Sequence, residues 1–333
     1  MTFLIKDSAL PAYKRTTNDR SELLADVAEL YYLKGMNQSE IASQIGVDRS
    51  MVSRMLAEAR ARNIVEISVK KPLSSDNTLE NELIQKFGLL DAFVLNNREI
   101  EYKELLNNLG KAGAKVLLSY ISQGQVLGLS WGSAVSAVVE AVKVNEPLHI
   151  RVVQLVGAMG AQNTVYDGPG LVQRLAQKFG CEGYFINAPF IVDTAEIVGA
   201  LQENRNIREA VDLAKKCDIA VIGIGSTEPE YSSFYQAGYV PFEVLEQLRK
   251  FGMVGDVCGH HFGEHGETPE LEFHKRIITI DAKSLKSIPV RIGVAGGIGK
   301  IKAVLGALRA GYINVLVTDS QLVSRLVSVD GLI

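Results

Sequence analysis

The sequence predicts an α/β protein in two parts: an N-terminal helix-turn-helix head of the winged type, then a larger, doubly wound, mostly parallel α/β domain. Three observations carry that expectation. Residues 38–56 read QSEIASQIGVDRSMVSRML, the spacing of a helix-turn-helix. From residue 79 onward, uninterrupted Val/Ile/Leu runs alternate with helical spacing, as strands buried on both faces alternate with their crossover helices. Several of those runs end in glycines or small polar residues, the turn chemistry expected where a strand meets its helix.

Residues 1–20 read as a loose polar arm. From Ser21 the apolar set Leu23, Leu24, Val27, Ala28, Leu30 and Tyr31 falls on one helical face, and Gly35 ends the helix. Asn37 opens a second helix, with Glu40 three residues on to complete a capping box. Ala42 sits where the second helix must let the third pack close, and Gly46 takes the turn. Asp48 caps the third helix, which runs through Arg62. Ile41, Ile45, Val52 and Met55 are spaced to fill the wedge between these two helices, leaving Arg49, Ser50, Ser53 and Arg54 on an outer face. Gln38 and Ser39 start the preceding helix. Arginines reach base edges, while short hydroxyls and helix ends fix register on phosphates, so these six positions are the candidate nucleic-acid contacts. Residues 63–70 (NIVEISVK) alternate like a wing strand, and 72–78 (PLSSDNT) form a turn-rich linker. The head therefore occupies 21–71 and the larger domain 79–333.

In that larger domain the expected strands are 91–95, 125–129, 152–156, 219–224, 290–295 and 314–318. The expected helices include 78–87, 101–120, 134–142, 171–179 and 300–309.

The chain has 333 residues, 47% hydrophobic and 22% charged, which suits two globular domains and excludes a disordered chain. Its net charge of −3 argues against a nonspecific nucleic-acid binder. Residues 1–71 nevertheless hold 11 Lys and Arg against 9 Asp and Glu, a net of +2 on an otherwise acidic chain. The three cysteines, Cys181, Cys217 and Cys258, are widely spaced and point to a reducing compartment without a disulfide framework. The opening MTFLIKDSALPAYKR is broken by Lys6 and Asp7, too early for a signal segment, and no run approaches a membrane span. A cytoplasmic protein with no membrane partner is expected.

Four stretches carry chemistry. In 126–133 (VLGLSWGS), Gly128, Ser130, Gly132 and Ser133 bring backbone N–H groups and hydroxyls to a helix start, a place for an anion such as a sugar phosphate. The letters GLSWG also match a nucleophile elbow, and Ser130, Asp256 and His265 come in the triad order of such hydrolases. Residues 220–226 (AVIGIGS) and 294–300 (VAGGIGK) repeat the strand-then-glycine device. They match neither a dinucleotide fingerprint nor a Walker A loop, but they poise Lys300 for a phosphate or carbonyl contact. Residues 255–267 (GDVCGHHFGEHGE) gather three of the five histidines with Cys258, Asp256 and Glu264. Cys258, His260, His261 and His265 fit no standard zinc spacing, so the stretch reads as a polar loop lining a ligand, with no metal.

The head and these loops together resemble the SorC family of bacterial sugar-responsive regulators. The likeness spans roughly residues 21–330. Its marks are YYLKGMNQSEIASQIGVDRSMVSRMLAEARARNIV, GLSWGSAV, VVQLVGAMG, CDIAVIGIGS, VGDVCGHHF and VAGGIGKIKAVLGALRAGYINVLVTD, in that order. The resemblance implies an effector domain similar in fold to sugar-phosphate isomerases but used for binding, without catalysis or cofactor. It also implies operator DNA, a sugar or sugar-phosphate effector and a second copy of the chain as partners, in a tetramer. By position, the family's effector contacts fall on Ser130, Gly132 and Ser133, on Gly157, Ala158 and Met159, and on Lys300. Two departures stand out. His261-Phe262-Gly263 replaces the family's Phe-Phe-Asp, with Glu264 as the candidate substitute acid, and Pro169 replaces a polar residue ahead of helix 171–179. The alternative is a sugar-phosphate isomerase that carries a DNA-binding head.

Overall fold

The chain divides into two compact units, Met1–Pro72 and Leu73–Ile333. The computed structural model describes residues 17–66, 73–97, 101–160 and 166–329. In the first unit, α1 (Thr17–Tyr32), α2 (Gln38–Ile45) and α3 (Arg49–Ala61) enclose a small core. Leu24, Val27, Ile41, Val52 and Ala59 are fully buried there, with Met55 and Leu56 beside them. The helical face read from residue 23 onward is therefore real, although α1 starts at Thr17, inside the stretch expected to be an arm. The expected wing strand is not seen at residues 63–66, and the rest of it lies outside the described residues. Asn63 takes a left-handed φ of 55°, and the N–H groups of Ile64 and Val65 turn back onto the carbonyl of Ala59. That closes the end of α3 and tucks both side chains against the core, so local capping overrides the alternation.

The second unit runs α4 (Asn77–Phe87), β1 (Asp91–Leu95), α5 (Tyr102–Tyr120), β2 (Val126–Leu129), α6 (Ser133–Ala141), β3 (Arg151–Gln154), α7 (Gly168–Phe179) and β4 (Glu182–Tyr184). Then come α8 (Ala195–Glu203), α9 (Arg205–Ala214), β5 (Ile219–Gly223), β6 (Gly225–Ser226), α10 (Ser233–Gln236), α11 (Phe242–Lys250), β7 (Met253–Val257) and β8 (His260–Gly263). It closes with α12 (Ala282–Ser287), β9 (Val290–Val294), α13 (Ile301–Arg309), β10 (Val315–Asp319) and α14 (Ser320–Val329).

Among the described residues, seven strands form one parallel sheet in the order β1-β10-β9-β5-β2-β3-β4. Alternate residues serve opposite faces: Leu127, Leu129, Val221 and Val317 pack with α5, α6 and α7. Val126, Ile222 and Leu316 pack in the opposite layer with α13 and α14. From β2 the chain winds outward through β3 and β4, then returns so that β5 pairs with β2 before winding the other way through β9 and β10. The strand order thus reverses between β2 and β5, where an open α/β sheet leaves a crevice beyond the strand ends.

The stretch expected to be a ligand-lining loop at 255–267 is mostly sheet. β6, β7 and β8 form a small antiparallel sheet, and β7 and β8 meet at a two-residue turn, Cys258-Gly259, with φ of 52° and 81°. Two positive φ angles give the hairpin turn whose twist matches its strands. Among the described residues no helix is long and apolar enough to cross a membrane.

Candidate functional site: a recognition helix and a cavity at the strand switch point

In the head, the Asn37 side chain accepts from the N–H groups of Ser39 and Glu40, and the Glu40 carboxylate accepts from Asn37 N at 2.8 Å, completing the capping box. Gly46 ends α2 at φ 71°, a left-handed conformation that a side chain would strain. The Asp48 carboxylate accepts from Met51 N at 2.8 Å and from the Ser50 hydroxyl at 2.6 Å, which holds its pKa below the usual carboxylate range. Arg49, Ser50, Ser53 and Arg54 all stand exposed on α3; Ser39 is exposed and Gln38 half-buried at the start of α2. Arg54 is drawn back along the helix, with Nε 3.4 Å from the Ser50 carbonyl and Nη2 3.4 Å from its hydroxyl. One network escaped the sequence reading: Glu58 on α3 ion-pairs with both Arg20 of α1 and Arg62. Partners 38 residues apart leave no local periodic signal.

In the larger unit, a cavity of about 310 Å³ lies beyond the carboxyl ends of β2, β5 and β9, at the switch point. Ser130 to Ser133 form one wall, Gly223 to Gly225 the next, and Ala295, Gly296 and Lys300 the third. Ser130, Gly132, Ser133 and Lys300 are therefore brought together as expected. A second cavity of about 290 Å³ adjoins it across Trp131, Gly132 and Ser133, and Met159, Asp167 and Tyr239 line its far side.

The polar groups of these loops are mostly engaged already. The Ser130 hydroxyl accepts from Gly223 N at 3.0 Å, and Ser130 N donates to the Val221 carbonyl, so this buried serine stitches β2 to β5. Gly132 N donates to the Tyr166 carbonyl at 3.0 Å. The N–H groups of Ser130 and Gly132 therefore close the protein's own backbone, while Ser133 and Ala134 at the start of α6 line the cavity. The Ser133 side chain is hydrogen-bonded to the Tyr102 hydroxyl.

Lys300 Nζ donates to the carbonyls of Ile224 and Tyr231 at 3.1 and 3.2 Å. Burial lowers its pKa to about 8 against the opposing pull of Asp256. Burial raises Asp256 to about 6, and the Gly259 N–H and Lys300 only partly offset this. Gly225 is required here because a Cβ would collide with the Asp256 carboxylate.

Other expected contacts fall elsewhere. Gly157 and Ala158 line neither cavity; their N–H groups donate to Ile278 and Ala188, and a Cβ on Gly157 would meet the Pro189 backbone. Met159 lines the second cavity and its N–H donates to the buried Asp167 carboxylate at 2.8 Å. Glu264 is not at the switch point: it lies 3.7 Å from Lys302 and lines separate surface grooves. Gly263 ends β8 with the Glu267 carboxylate filling the space a side chain would take, so this departure removes no acid from the cavity. Pro169 sits in the first turn of α7, where its missing N–H costs no intrahelical bond.

The triad is not assembled, because His265 stands at the surface beside Arg309 while Ser130 and Asp256 line the cavity. Nor are the drawn zinc ligands gathered. His260 meets the Ile280 carbonyl, and His261 stacks on His274 with Nδ1 and Nε2 3.2 Å apart. Among the described residues no three His, Cys, Asp or Glu are grouped to hold a metal. Sequence reasoning missed Tyr102, Tyr231, Phe234 and Gln236, which close the first cavity from α5 and the α10 segment. None lies in a glycine loop; the only local sign was the Ser232 cap of α10.

The sugar-binding domain family matches residues 71–328. The chain is 30% identical over 314 residues to the transcriptional regulator LsrR of Enterobacter sp. strain 638, covering 93% of this chain and 94% of that protein. It is 27% identical over 310 residues to the deoxyribonucleoside regulator of Bacillus subtilis strain 168, covering 93% and 98%. Its fold is similar to the crystal structure of the full-length sorbitol operon regulator SorC from Klebsiella pneumoniae. The TM-score is 0.69 at 26% identity, over 92% of this chain and 99% of that one.

Proposed function

This chain belongs to the SorC family of sugar-responsive transcription regulators, and on that premise we propose that it is an effector-controlled operator-binding switch. Arg49, Ser50, Ser53 and Arg54, with Gln38 and Ser39, meet DNA; a small sugar or sugar phosphate binds at the β2/β5 switch point. The observation that carries this reading is the pairing, in one chain, of a capped and exposed α3 with a separate enclosed cavity. Ligand binding biases two arrangements of subunits, and operator affinity changes by the ligand's differential affinity for them. One recognition helix reads too few bases, so the working form is an oligomer, a tetramer, on paired half-sites in the cytoplasm.

Binding rather than turnover is proposed for the cavity, because its serine is committed to a backbone bond and the sequence's candidate histidine lies elsewhere. Two measurements test the switch. Arg54→Ala should weaken operator binding by about 1–3 kcal/mol while ligand-induced thermal stabilisation is retained. Unchanged operator affinity would remove α3 from the interface. Incubation with pentose and hexose phosphates should give no product; turnover would favour the isomerase reading instead.

A further inference from the structure

We infer that Asp48 is a specificity residue of α3, whose fixed carboxylate repels DNA phosphate at the leading end of the helix. Binding there then depends on base edges rather than on the backbone. The inference rests on reading α3 as the DNA-facing helix and adds a determinant of selectivity to it. A helix N-terminus ordinarily offers its free N–H groups to a phosphate, with the helix dipole in support. At α3 an anion of the chain already takes that place. The Asp48 carboxylate accepts from the Ser50 hydroxyl at 2.6 Å and from Met51 N at 2.8 Å, and the Ser50 N–H adds to this hold. Moving the charge aside as DNA approaches would break the cap. The same bonds spend the hydroxyl proton of Ser50, so its oxygen can accept from DNA but cannot donate to a phosphate.

Arg54 completes the arrangement. It stands exposed one turn along α3, with Nε and Nη2 each 3.4 Å from Ser50 oxygens, and Asp48 attracts its charge. Contacts this long release readily. A phosphate reached from this position would lie near the Asp48 carboxylate, and that repulsion offsets part of the gain. A guanine edge takes the guanidinium in two bonds and brings no charge to repel. A built-in repulsion of this kind widens the gap between specific and non-specific DNA.

The test is fluorescence anisotropy of the full chain on two labelled duplexes, at about 50 to 200 mM salt. One duplex is selected by the parent chain from a random-sequence library, and the other carries the same bases scrambled. Asn and Ser cap helices about as well as Asp, so Asp48→Asn and Asp48→Ser each remove the charge and keep the cap. Both variants should bind the scrambled duplex about three- to tenfold more tightly than the parent chain does. Their salt slope should steepen by up to about 0.9 for each head engaged, and the selected duplex should gain less. Asp26→Asn makes the same charge change at an exposed position of α1 and should move the scrambled duplex less than either. Scrambled-duplex binding at the parent level in both variants overturns the inference, as does an equal gain from Asp26→Asn. A loss confined to the selected duplex also overturns it, by making Asp48 a base contact. If Arg54→Ala leaves the selected duplex equally well bound, α3 is not at the DNA and the reading beneath the inference falls instead.

Discussion

Asp256 and Lys300 both line the cavity; burial shifts the proton affinity of each, and each one's charge partly offsets the other's shift. Asp256→Asn should move the Lys300 pKa further below about 8, because the one carboxylate that supports the ammonium is gone. NMR of labelled lysine across a pH series reads this directly, and an unmoved titration would show the two groups to be uncoupled. The stability sign follows from the raised carboxyl. Asp256 adds stability while it is protonated, below its ordinary range near 3.8, and that contribution is lost as pH rises through about 6. Lys300 was legible as the one charged group after a strand-and-glycine run. Asp256 was visible only as a member of triad and metal sets that the fold does not assemble. Tyr102 and Gln236 were not legible, because each reaches the cavity from an element whose own pattern says only helix.

At the scale of elements, caps and turns decide most outcomes. Gly46→Val should destabilise the head by about 1–3 kcal/mol, since a β-branched residue must hold a left-handed φ between α2 and α3. Chemical unfolding followed on the head's helices measures it, and an unchanged midpoint would mean that the turn relaxes without cost. The β7–β8 hairpin was misread as a loop because its turn falls on Cys258 and Gly259, splitting an alternating run into pieces too short to register. Its strand β8 places His261 against His274, contributed from a 3-10 turn at Glu272–Arg276.

Burial lowers His261 to about 3, with His274 and His260 adding to the effect, and lowers His274 to about 4, with His260 adding. Both are neutral in the fold, so their stabilisation is complete above the ordinary value near 6.5 and is lost as pH falls toward those values. Asp256 works in the opposite direction over part of this window. The two histidines outweigh it, leaving a net loss on the order of 1–2 kcal/mol between pH 7 and pH 5 once His274 is discounted for partial exposure. Urea midpoints at the two pH values measure that loss, and His274→Gln should shrink the difference. Equal midpoints in the parent protein would show that the imidazoles titrate without resistance.

On the scale of the whole molecule, the proposed switch divides its work between the two units. Residues 73–333 form their own sheet and two core layers, so expressed alone they should retain sugar-induced thermal stabilisation and lose operator binding. Retained operator binding would place the DNA contacts outside the head. Residues 1–71 bring only a net +2 to a polyanion, which makes tight binding at physiological salt depend on several heads acting together. Analytical ultracentrifugation of the full chain should accordingly show an oligomer, and a monomer that binds operator tightly would contradict the proposed switch.

The sequence by itself determined the head, its caps and its outward arginines, and the alternation of β1, β2, β5, β9 and β10 with helices. These follow from spacing, capping and hydrophobic period, which act within a few residues of one another. It also named the loops that meet at the switch point, since each follows directly from a strand. Only the tertiary structure decided what those loops can do. Whether the N–H groups of Ser130, Gly132 or Met159 are free for a ligand depends on carbonyls and carboxylates brought in by other segments. So does the proton affinity of Lys300, set by the burial of its ammonium and by Asp256, 44 residues earlier in the chain. Hydrogen-bond satisfaction and desolvation are properties of the packed chain, and no spacing rule in the sequence encodes them.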